Sequence, residues 1–274
     1  MSKIACIQMA SGPNVQANLL EAERLIEVAK NAGATLAMLP ENFAIMGATE
    51  QDKLGIKEQL GSGPIQDFLA QQARKHSLWI VGGTIPLTSE NPEKISAACL
   101  LFDTHGKAVA HYNKIHLFDV TLIDSEESYI ESQTIEPGDN VVVVDTPIGR
   151  VGLSVCYDLR FPELFRAMVR QGAEVILLPA AFTANTGRAH WNPLIRARAI
   201  ENQCYFAASA QGGFHVNGRE TYGHSMIVDP WGTVLVQQPN GPGAICAEID
   251  LASLHHVREV FPVLEHISLG DTGK

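Results

Sequence analysis

Short apolar runs alternate with longer amphipathic stretches from the beginning of the chain. Residues 3–10 form a mostly apolar run, which predicts a buried β-strand. Apolar positions between 15 and 31 then recur at helical spacing, Asn14 is a suitable N-cap, and Gly33 ends the predicted helix. A second buried strand over 35–39 follows and stops at a proline. This order of elements predicts a β-α-β unit with parallel strands.

The same alternation continues along the rest of the chain. Further helices are predicted over 64–76, from 161 onward, over 189–202 and over 254–260. Further strands are predicted over 78–85 and 95–103, and another strand follows the turn at 105–106 and ends near residue 114. The remaining strands are predicted over 141–145, 149–156, 174–178, 204–210, 225–229, 233–237 and 244–250. The stretch 117–140 has no clear periodicity and carries six acidic residues between positions 124 and 139. A loop of that length in a compact domain is usually functional or mobile.

Two segments of the chain resemble each other. Residues 33–40 read Gly-Ala-Thr-Leu-Ala-Met-Leu-Pro, and residues 172–179 read Gly-Ala-Glu-Val-Ile-Leu-Leu-Pro. Each segment follows a predicted strand and helix, which indicates two β-α-β halves. Two such halves favour an α/β fold in which helices cover two sheets, a four-layer αββα sandwich. The alternative is that Gly-Ala before a strand and Pro after it are common boundaries without further meaning.

One cysteine stands where the second half passes from strand to helix. The apolar run that begins at residue 149 stops at Cys156, and Phe161-Pro162-Glu163 opens a helix with proline in its first turn. Ligands of open α/β sheets bind at that edge, where helix-end amides and nearby bases can ionise a thiol. Cys156 could instead be a core residue, since free cysteine is among the most buried residue types. The cysteines that lie inside strand-like runs, and so have the surroundings of core packing, are Cys6, Cys99, Cys204 and Cys246.

Composition limits the classes of function. A chain of 274 residues favours one large α/β domain, and its net charge of −10 disfavours nucleic acid and anionic membranes as partners. An anionic substrate would therefore need a local positive site. The first residues show no signal peptide, and no apolar run is long enough to cross a bilayer. With an odd number of cysteines, five, these features predict a reducing, cytoplasmic setting.

Two charged residues follow predicted strands. Glu41 follows the proline that closes the strand over 35–39, and a carboxylate there could act as a general base for a nearby thiol. A lone glutamate in such a place is more often a solvated loop residue. Lys114 ends another strand, where it could stabilise an oxyanion or simply extend into solvent. Spacing alone does not join Glu41, Lys114 and Cys156 into one site.

Three motifs in this order resemble the nitrilase (carbon–nitrogen hydrolase) superfamily. They are Leu39-Pro40-Glu41, Asn113-Lys114-Ile115-His116-Leu117 and Val155-Cys156-Tyr157-Asp158-Leu159-Arg160-Phe161-Pro162-Glu163. The resemblance implies a single domain over 1–274 with an αββα sandwich of the nitrilase type. It also implies an amidase with Glu41 as general base, Lys114 as oxyanion stabiliser and Cys156 as nucleophile, without metal or cofactor. A further implied residue is Glu131, which would orient Lys114 and position the substrate. Because Glu131 lies in an acidic stretch, it could instead be a solvated loop residue.

The same resemblance implies a homodimer. Family members commonly pair their subunits through helices like those predicted over 161–170 and 189–202. Arg196 and Arg198, which lie in the second of these stretches, are then interface or packing residues. The expected partners are thus a second copy of the chain and a small-molecule amide, and neither nucleic acid nor a membrane.

The substrate is suggested by two later segments. Residues 181–191 and 221–232 most resemble the branch of deaminated glutathione amidases, which hydrolyse the amide that joins α-ketoglutarate to cysteinylglycine. The ω-amidase branch, which acts on α-ketoglutaramate, shares much of this pattern, and residues 119–129 differ from animal members of both branches. Another small-molecule amidase or carbamoylase of the family, and a silent domain that only binds a metabolite or a partner, are further alternatives.

The resemblance also implies a set of substrate-binding residues. These are Tyr157, Arg160, Phe182, Thr183 and Arg188. The backbone N–H of Tyr157 would be an oxyanion donor. Arg160 could hold a substrate carboxylate, with Arg188 as a second candidate. Arg160 could equally form an ion pair with Asp158 or Glu163.

Overall fold

Strands and helices alternate along the chain, as its pattern predicts. The computed structural model describes residues 2–121 and 128–268. The α-helices in these ranges are α1 (Val15–Asn31), α2 (Pro64–His76), α3 (Pro162–Arg170), α4 (Ala184–Asn202) and α5 (Leu251–Val260). The strands in these ranges are β1 (Ser2–Gln8), β2 (Leu36–Met38), β3 (Trp79–Val81), β4 (Ile85–Thr88), β5 (Ile95–Phe102), β6 (Ala108–Asn113), β7 (Asp119–Thr121), β8 (Ser128–Ile130), β9 (Val143–Thr146), β10 (Gly149–Leu153), β11 (Val175–Ala180), β12 (Tyr205–Ala210), β13 (Gly212–Phe214), β14 (Glu220–Tyr222), β15 (Ser225–Val228), β16 (Val234–Gln238) and β17 (Gly243–Ile249). None of these helices has the length and apolar character needed to cross a membrane.

Most of the described strands belong to two sheets. The first sheet has the order β17-β1-β2-β3-β5-β4, with β6 beside β5, and the second has the order β16-β15-β12-β11-β10-β9. β1 pairs with β2 in parallel, and β10 pairs with β11 in parallel, as two β-α-β halves require. The hairpins β7–β8 and β13–β14 lie outside both sheets.

The two sheets pack face to face. On β1, Ile4 and Cys6 point into a core shared with the second sheet, whereas Ala5 and Ile7 point to the opposite face. Both faces of β1 are buried, which is why its sequence is a continuous apolar run. Across the interface, the Oγ of Ser209 on β12 accepts a hydrogen bond from the N–H of Ile7 at 3.1 Å.

Helices cover the outer face of each sheet. α1 begins where the Asn14 side chain accepts the N–H of Ala17 at 3.0 Å, and its buried stripe, which includes Leu25 and Ile26, packs with the outward residues of β1. α3 lies so close to β10 that a Cβ added to Gly152 would be 2.7 Å from a methionine sulfur on that helix. The layers are therefore helix, sheet, sheet and helix, which confirms the predicted αββα sandwich.

The single strand predicted over 78–85 is wrong, because the chain breaks there into β3 and β4. Gly83, between the two strands, has a φ of +55°. A Cβ at this position would lie 2.1 Å from the carbonyl oxygen of Pro40, so only glycine allows the two chains to approach this closely. The contact lies directly before Glu41 in the sequence and helps to fix the segment that carries it.

The strand predicted to stop at Pro179 continues to Ala180. The carbonyl of Leu177 accepts the N–H of Ser154, and the carbonyl of Ala180 accepts the N–H of Gln211. In a parallel ladder successive residues bond to alternate neighbours, so Pro179 faces the β10 side. β10 has already ended there, and no N–H is needed at that position of β11.

Part of the stretch 117–140 has regular structure, although a loop was predicted. β7 and β8 form an antiparallel hairpin that pairs Asp119 with Ile130, and a 3₁₀ turn over Glu131–Gln133 follows. The acidic residues at 124, 126 and 127 lie outside the described residues. α4 also differs from its prediction, since it begins at Ala184 rather than at 189.

Candidate active site

A cavity of about 350 Å³ lies where Glu41 follows β2, Cys156 follows β10 and Ala181 follows β11. Lys114 and Glu131 also line it. The four residues that sequence motifs assigned to catalysis are thus brought together from distant parts of the chain. The volume lies within the range of sites that hold small molecules.

Cys156 lies in a sharp turn after β10. Its φ of +47° falls in the left-handed region, which residues other than glycine rarely adopt. A 3₁₀ turn over Cys156–Arg160 follows, and α3 begins at Pro162. Only 7% of Cys156 is exposed, and it lines the cavity. The helix predicted to open near Pro162 is therefore confirmed, but its N-terminus is six residues from the cysteine.

The carboxylate of Asp158 holds this turn in place. It accepts hydrogen bonds from the N–H of Val155 at 2.7 Å and from the hydroxyl of Tyr112 at 2.6 Å. It also accepts the backbone N–H of His116 at 3.1 Å. Because Tyr112 and His116 flank Lys114, one fully buried carboxylate fixes the cysteine turn and the lysine segment relative to each other.

Lys114 lies between two carboxylates. Its Nζ donates to Glu41 Oε1 at 2.9 Å and to both carboxylate oxygens of Glu131 at 2.8 Å. Glu41 Oε2 accepts the N–H of Ala181 at 2.8 Å, and Glu131 Oε2 accepts the N–H of Phe118 at 2.7 Å. Backbone donors therefore fix both carboxylates, and these carboxylates orient the ammonium group.

The charges in the cavity set the protonation states. Burial alone would raise the pKa of Glu41, but the Lys114 ammonium and a hydrogen bond from Cys156 lower it below its ordinary value. Burial alone would lower the pKa of Lys114, yet Glu131 and Glu41 raise it well above its ordinary value. The pKa of Cys156 is raised by burial and then by Glu41, despite the opposing effect of Lys114. The resting site therefore pairs a neutral thiol with an ionised carboxylate, and the expectation of an ionised thiol is not supported.

This arrangement is chemically that of a thiol nucleophile beside its base. The carbon-nitrogen hydrolase family matches residues 3–259. The chain belongs to this family. It is accordingly a hydrolase of carbon–nitrogen bonds other than peptide bonds and acts on small amides.

Individual relatives support this assignment. The chain is 45% identical to a deaminated glutathione amidase of Yersinia enterocolitica, over 97% of this chain and 92% of that protein. Its fold matches the Caenorhabditis elegans NitFhit protein with a TM-score of 0.90 and 39% identity, over 97% of this chain. The chain spans 64% of that protein's length. Nit3 of Saccharomyces cerevisiae, a member of branch 10 of the nitrilase superfamily, matches with a TM-score of 0.87 and 31% identity, over 98% of this chain and 97% of Nit3.

Four of the predicted substrate-binding residues line the cavity of this carbon–nitrogen hydrolase, and one does not. The lining residues are Tyr157, Arg160, Phe182 and Thr183. Arg188 lies outside the lining. Its side chain is 63% exposed and forms an ion pair with Glu220 at 3.2 Å. The structure therefore does not bring Arg188 to the cavity with the other four residues.

Other lining residues were not predicted from the sequence. Lys53 is buried beside the cavity and pairs with Glu50 at 2.7 Å, and Arg219 reaches the cavity from the β13–β14 hairpin. Both basic residues lie in segments without clear periodicity. An Asn-Gly dipeptide before Arg219 does signal a turn, but a turn does not indicate which side chain enters a distant cavity.

Proposed function

We propose that this carbon–nitrogen hydrolase cleaves the amide bond of deaminated glutathione and releases α-ketoglutarate and cysteinylglycine. The observation that carries the proposal is the contact of Lys114 with Glu41 in the cavity that also holds the Cys156 thiol. The name of the Yersinia relative and the resemblance of residues 181–191 and 221–232 support the substrate. ω-Amidase activity on α-ketoglutaramate is the second candidate.

The geometry supports a two-step reaction. The Cys156 sulfur attacks the amide carbon while Glu41 accepts the thiol proton. The Lys114 ammonium and the backbone N–H of Tyr157 stabilise the negative charge that develops on the carbonyl oxygen. Glu41 then donates its proton to the leaving amine as the carbon–nitrogen bond breaks, and a thioester remains on Cys156. A water molecule deprotonated by Glu41 cleaves the thioester, which releases the acid and restores the thiol.

The charges that line the cavity favour an anionic substrate. Among the described residues, Lys114 is paired with Glu41 and Glu131, and Lys53 is paired with Glu50. The two arginines of the lining pair with no carboxylate in the described part of the chain. They are Arg160 and Arg219, of which Arg219 is still close enough to Glu50 to help lower the pKa of that carboxyl. A protein of net charge −10 thus offers a local cationic site for a carboxylate-bearing amide.

A substrate panel tests the proposed function. We expect a higher kcat/KM for deaminated glutathione than for α-ketoglutaramate, and poor turnover of glutathione, which carries an α-amino group in place of the 2-oxo group. A higher kcat/KM for α-ketoglutaramate would favour the ω-amidase alternative. Hydrolysis of neither amide would favour the remaining alternatives, which are another small-molecule amidase or carbamoylase of the family and a domain that only binds its ligand.

Arg160 is the proposed anchor for the carboxylate beside the 2-oxo group. Its Cζ lies 5.0 Å from the centroid of the Phe182 ring and 5.8 Å from that of Tyr157. The alternative partner Asp158 is already held by other donors, and Arg160 instead contacts the Nδ1 of His190 at 3.2 Å. The guanidinium is thus placed at the cavity wall without a competing carboxylate among the described residues.

The Arg160→Lys variant tests this assignment. Lysine keeps the charge but not the planar pair of donors, so kcat/KM for deaminated glutathione should fall roughly 10- to 100-fold. A short neutral aliphatic amide has no carboxylate and should be hardly affected. Equal losses on both substrates would mean that Arg160 supports the cysteine turn structurally.

We further propose a cytoplasmic homodimer. All five cysteines are free thiols, which fits a reducing compartment.

Beside α4, large apolar side chains are exposed, and the rings of Trp231 and Phe261 pack edge to face at 5.9 Å. Ile200 on α4 is also 48% exposed. Such a patch is typical of an interaction surface, and a one-subunit mass by light scattering would contradict the dimer.

A further inference from the structure

The β13–β14 hairpin presents Arg219 to the cavity from a fixed position. The turn between the two strands is closed by hydrogen bonds from the N–H of His215 to Arg219 and from Gly218 to His215, both at 2.9 Å. The buried His215 ring contacts the carbonyl of Ser11 at 2.9 Å and the hydroxyl of Thr221 at 2.7 Å. Arg219 therefore extends from a braced turn rather than from a free loop.

The Arg219 guanidinium has unused hydrogen-bonding capacity. One terminal nitrogen donates to the carbonyl of Ala181, and the Cζ lies 5.1 Å from the centroid of the Tyr129 ring. The Nε is buried and has no hydrogen-bond partner in the described part of the chain. A guanidinium held over an aromatic ring with donors to spare is well suited to bind a carboxylate.

Arg219 and the general base Glu41 are held by the same residue. The N–H of Ala181 donates a hydrogen bond to the Glu41 carboxylate, and the carbonyl of Ala181 accepts one from the Arg219 guanidinium. In the proposed reaction Glu41 delivers the proton to the leaving amine. This link through Ala181 makes Arg219 a candidate for contact with the amine half of the substrate.

Arg160 and Arg219 contact different members of a set of neighbouring rings. The centroid of Phe118 is 5.1 Å from that of Tyr157 and 5.2 Å from that of Tyr129. Arg160 lies over the Tyr157 ring, and Arg219 lies over the Tyr129 ring. The cavity thus offers two distinct guanidinium groups, and a substrate with two carboxylates could use both.

We propose that Arg219 is a specificity residue that binds the terminal carboxylate of the leaving amine. The substrate class is then an amide whose amine half is an amino acid or short peptide with a free carboxyl group. This inference rests on the proposed function and extends it. A primary amide such as α-ketoglutaramate releases ammonia and has no group for Arg219 to bind.

The experiment compares Arg219→Gln with the unmodified enzyme on three substrates. These are deaminated glutathione, its C-terminal glycinamide derivative and α-ketoglutaramate. For deaminated glutathione, kcat/KM should fall roughly 10- to 100-fold, mainly through a higher KM, which corresponds to the loss of a charge-assisted carboxylate contact. The other two substrates lack the terminal carboxylate and should change by less than about 3-fold. The unmodified enzyme should itself disfavour the glycinamide derivative by a factor similar to that of the substitution.

Two further variants secure the interpretation. Arg219→Lys keeps the positive charge, so its loss of kcat/KM should be smaller but should again be largest for deaminated glutathione. If Arg219→Gln has a lowered melting temperature, Arg219→Lys takes its place in the comparison. Arg24→Gln removes an arginine from an exposed ion pair with Glu21 on α1, and we expect no change on any substrate.

Four outcomes would overturn the inference. An equal decrease in kcat/KM for all three substrates, caused by a lower kcat, would show that Arg219 only supports Ala181 and Glu41. An unchanged kcat/KM for deaminated glutathione in Arg219→Gln would show that Arg219 does not bind it. If the unmodified enzyme hydrolyses deaminated glutathione and its glycinamide derivative equally well, the proposed function stands and the role of Arg219 fails. If it hydrolyses only α-ketoglutaramate, both fail.

Discussion

Replacing Cys156 with alanine is expected to lower kcat by at least ~10⁴-fold, because the reaction loses its nucleophile and no acyl-enzyme can form. The side chain is small, and its turn is held by Asp158 rather than by the sulfur. The variant should therefore fold normally, which its melting temperature and circular dichroism spectrum would show. Substantial turnover by a folded Cys156→Ala protein would contradict the assignment.

The other cysteines are matched controls for this change. Cys6, Cys99 and Cys204 are fully buried in the core, and Cys246 on β17 is partly exposed. Changing any one of them to alanine removes a packed sulfur and should at most lower the stability, by about 1 kcal/mol. Steady-state kcat should stay near that of the unmodified enzyme. A loss of activity that tracks one of these residues would move the nucleophile away from Cys156.

Glu41→Gln and Lys114→Ala should each lower kcat by at least ~100-fold, the usual scale for loss of a general base or an oxyanion donor. Glutamine keeps the shape of Glu41 but cannot accept the thiol proton. Alanine at 114 removes the ammonium and leaves Glu41 and Glu131 without the cation that separates them. The pKa of Glu41 should then rise, since Lys114 is what lowers it against the effect of burial.

The double variant Glu41→Gln/Lys114→Ala tests whether the two residues act together or independently in catalysis. Glu41 and Lys114 are hydrogen-bonded at 2.9 Å, so the second substitution removes a partner that has already lost its function. The fold-decrease of kcat in the double variant should therefore be much smaller than the product of the fold-decreases in the two single variants. A multiplicative loss would mean that the two groups act separately. Near-normal kcat in either single variant, with the fold intact, would show that the proposed role of that residue is wrong.

The fold could be predicted largely from local patterns. The apolar run of β1 and the helical stripe of α1 each reflect burial within one element, and the structure places both elements as predicted. Errors arose where a distant segment decides the outcome. Gly83 breaks a predicted strand because it contacts Pro40, and Pro179 is tolerated because β10 ends beside it.

The site could be predicted only in part, for the same physical reason. Glu41 and Cys156 follow buried strands, so the ends of these strands indicate their position, and motif resemblance joins them to Lys114. The importance of Asp158 depends on Tyr112 and His116, which are more than 40 residues away in the sequence. The protonated state of the thiol likewise depends on burial, which the sequence around Cys156 does not reveal.

Rapid chemical quench of the reaction with deaminated glutathione, followed by mass spectrometry, tests the central claim most directly. A protein that uses the Cys156 thiol should carry an α-ketoglutaryl thioester on the peptide that contains Cys156, and cysteinylglycine should be released in an initial burst. The same quench of Cys156→Ala should show neither the adduct nor the burst. An adduct on another residue, or release of both products from the unmodified enzyme in one step with no covalent species at any time, would contradict the account.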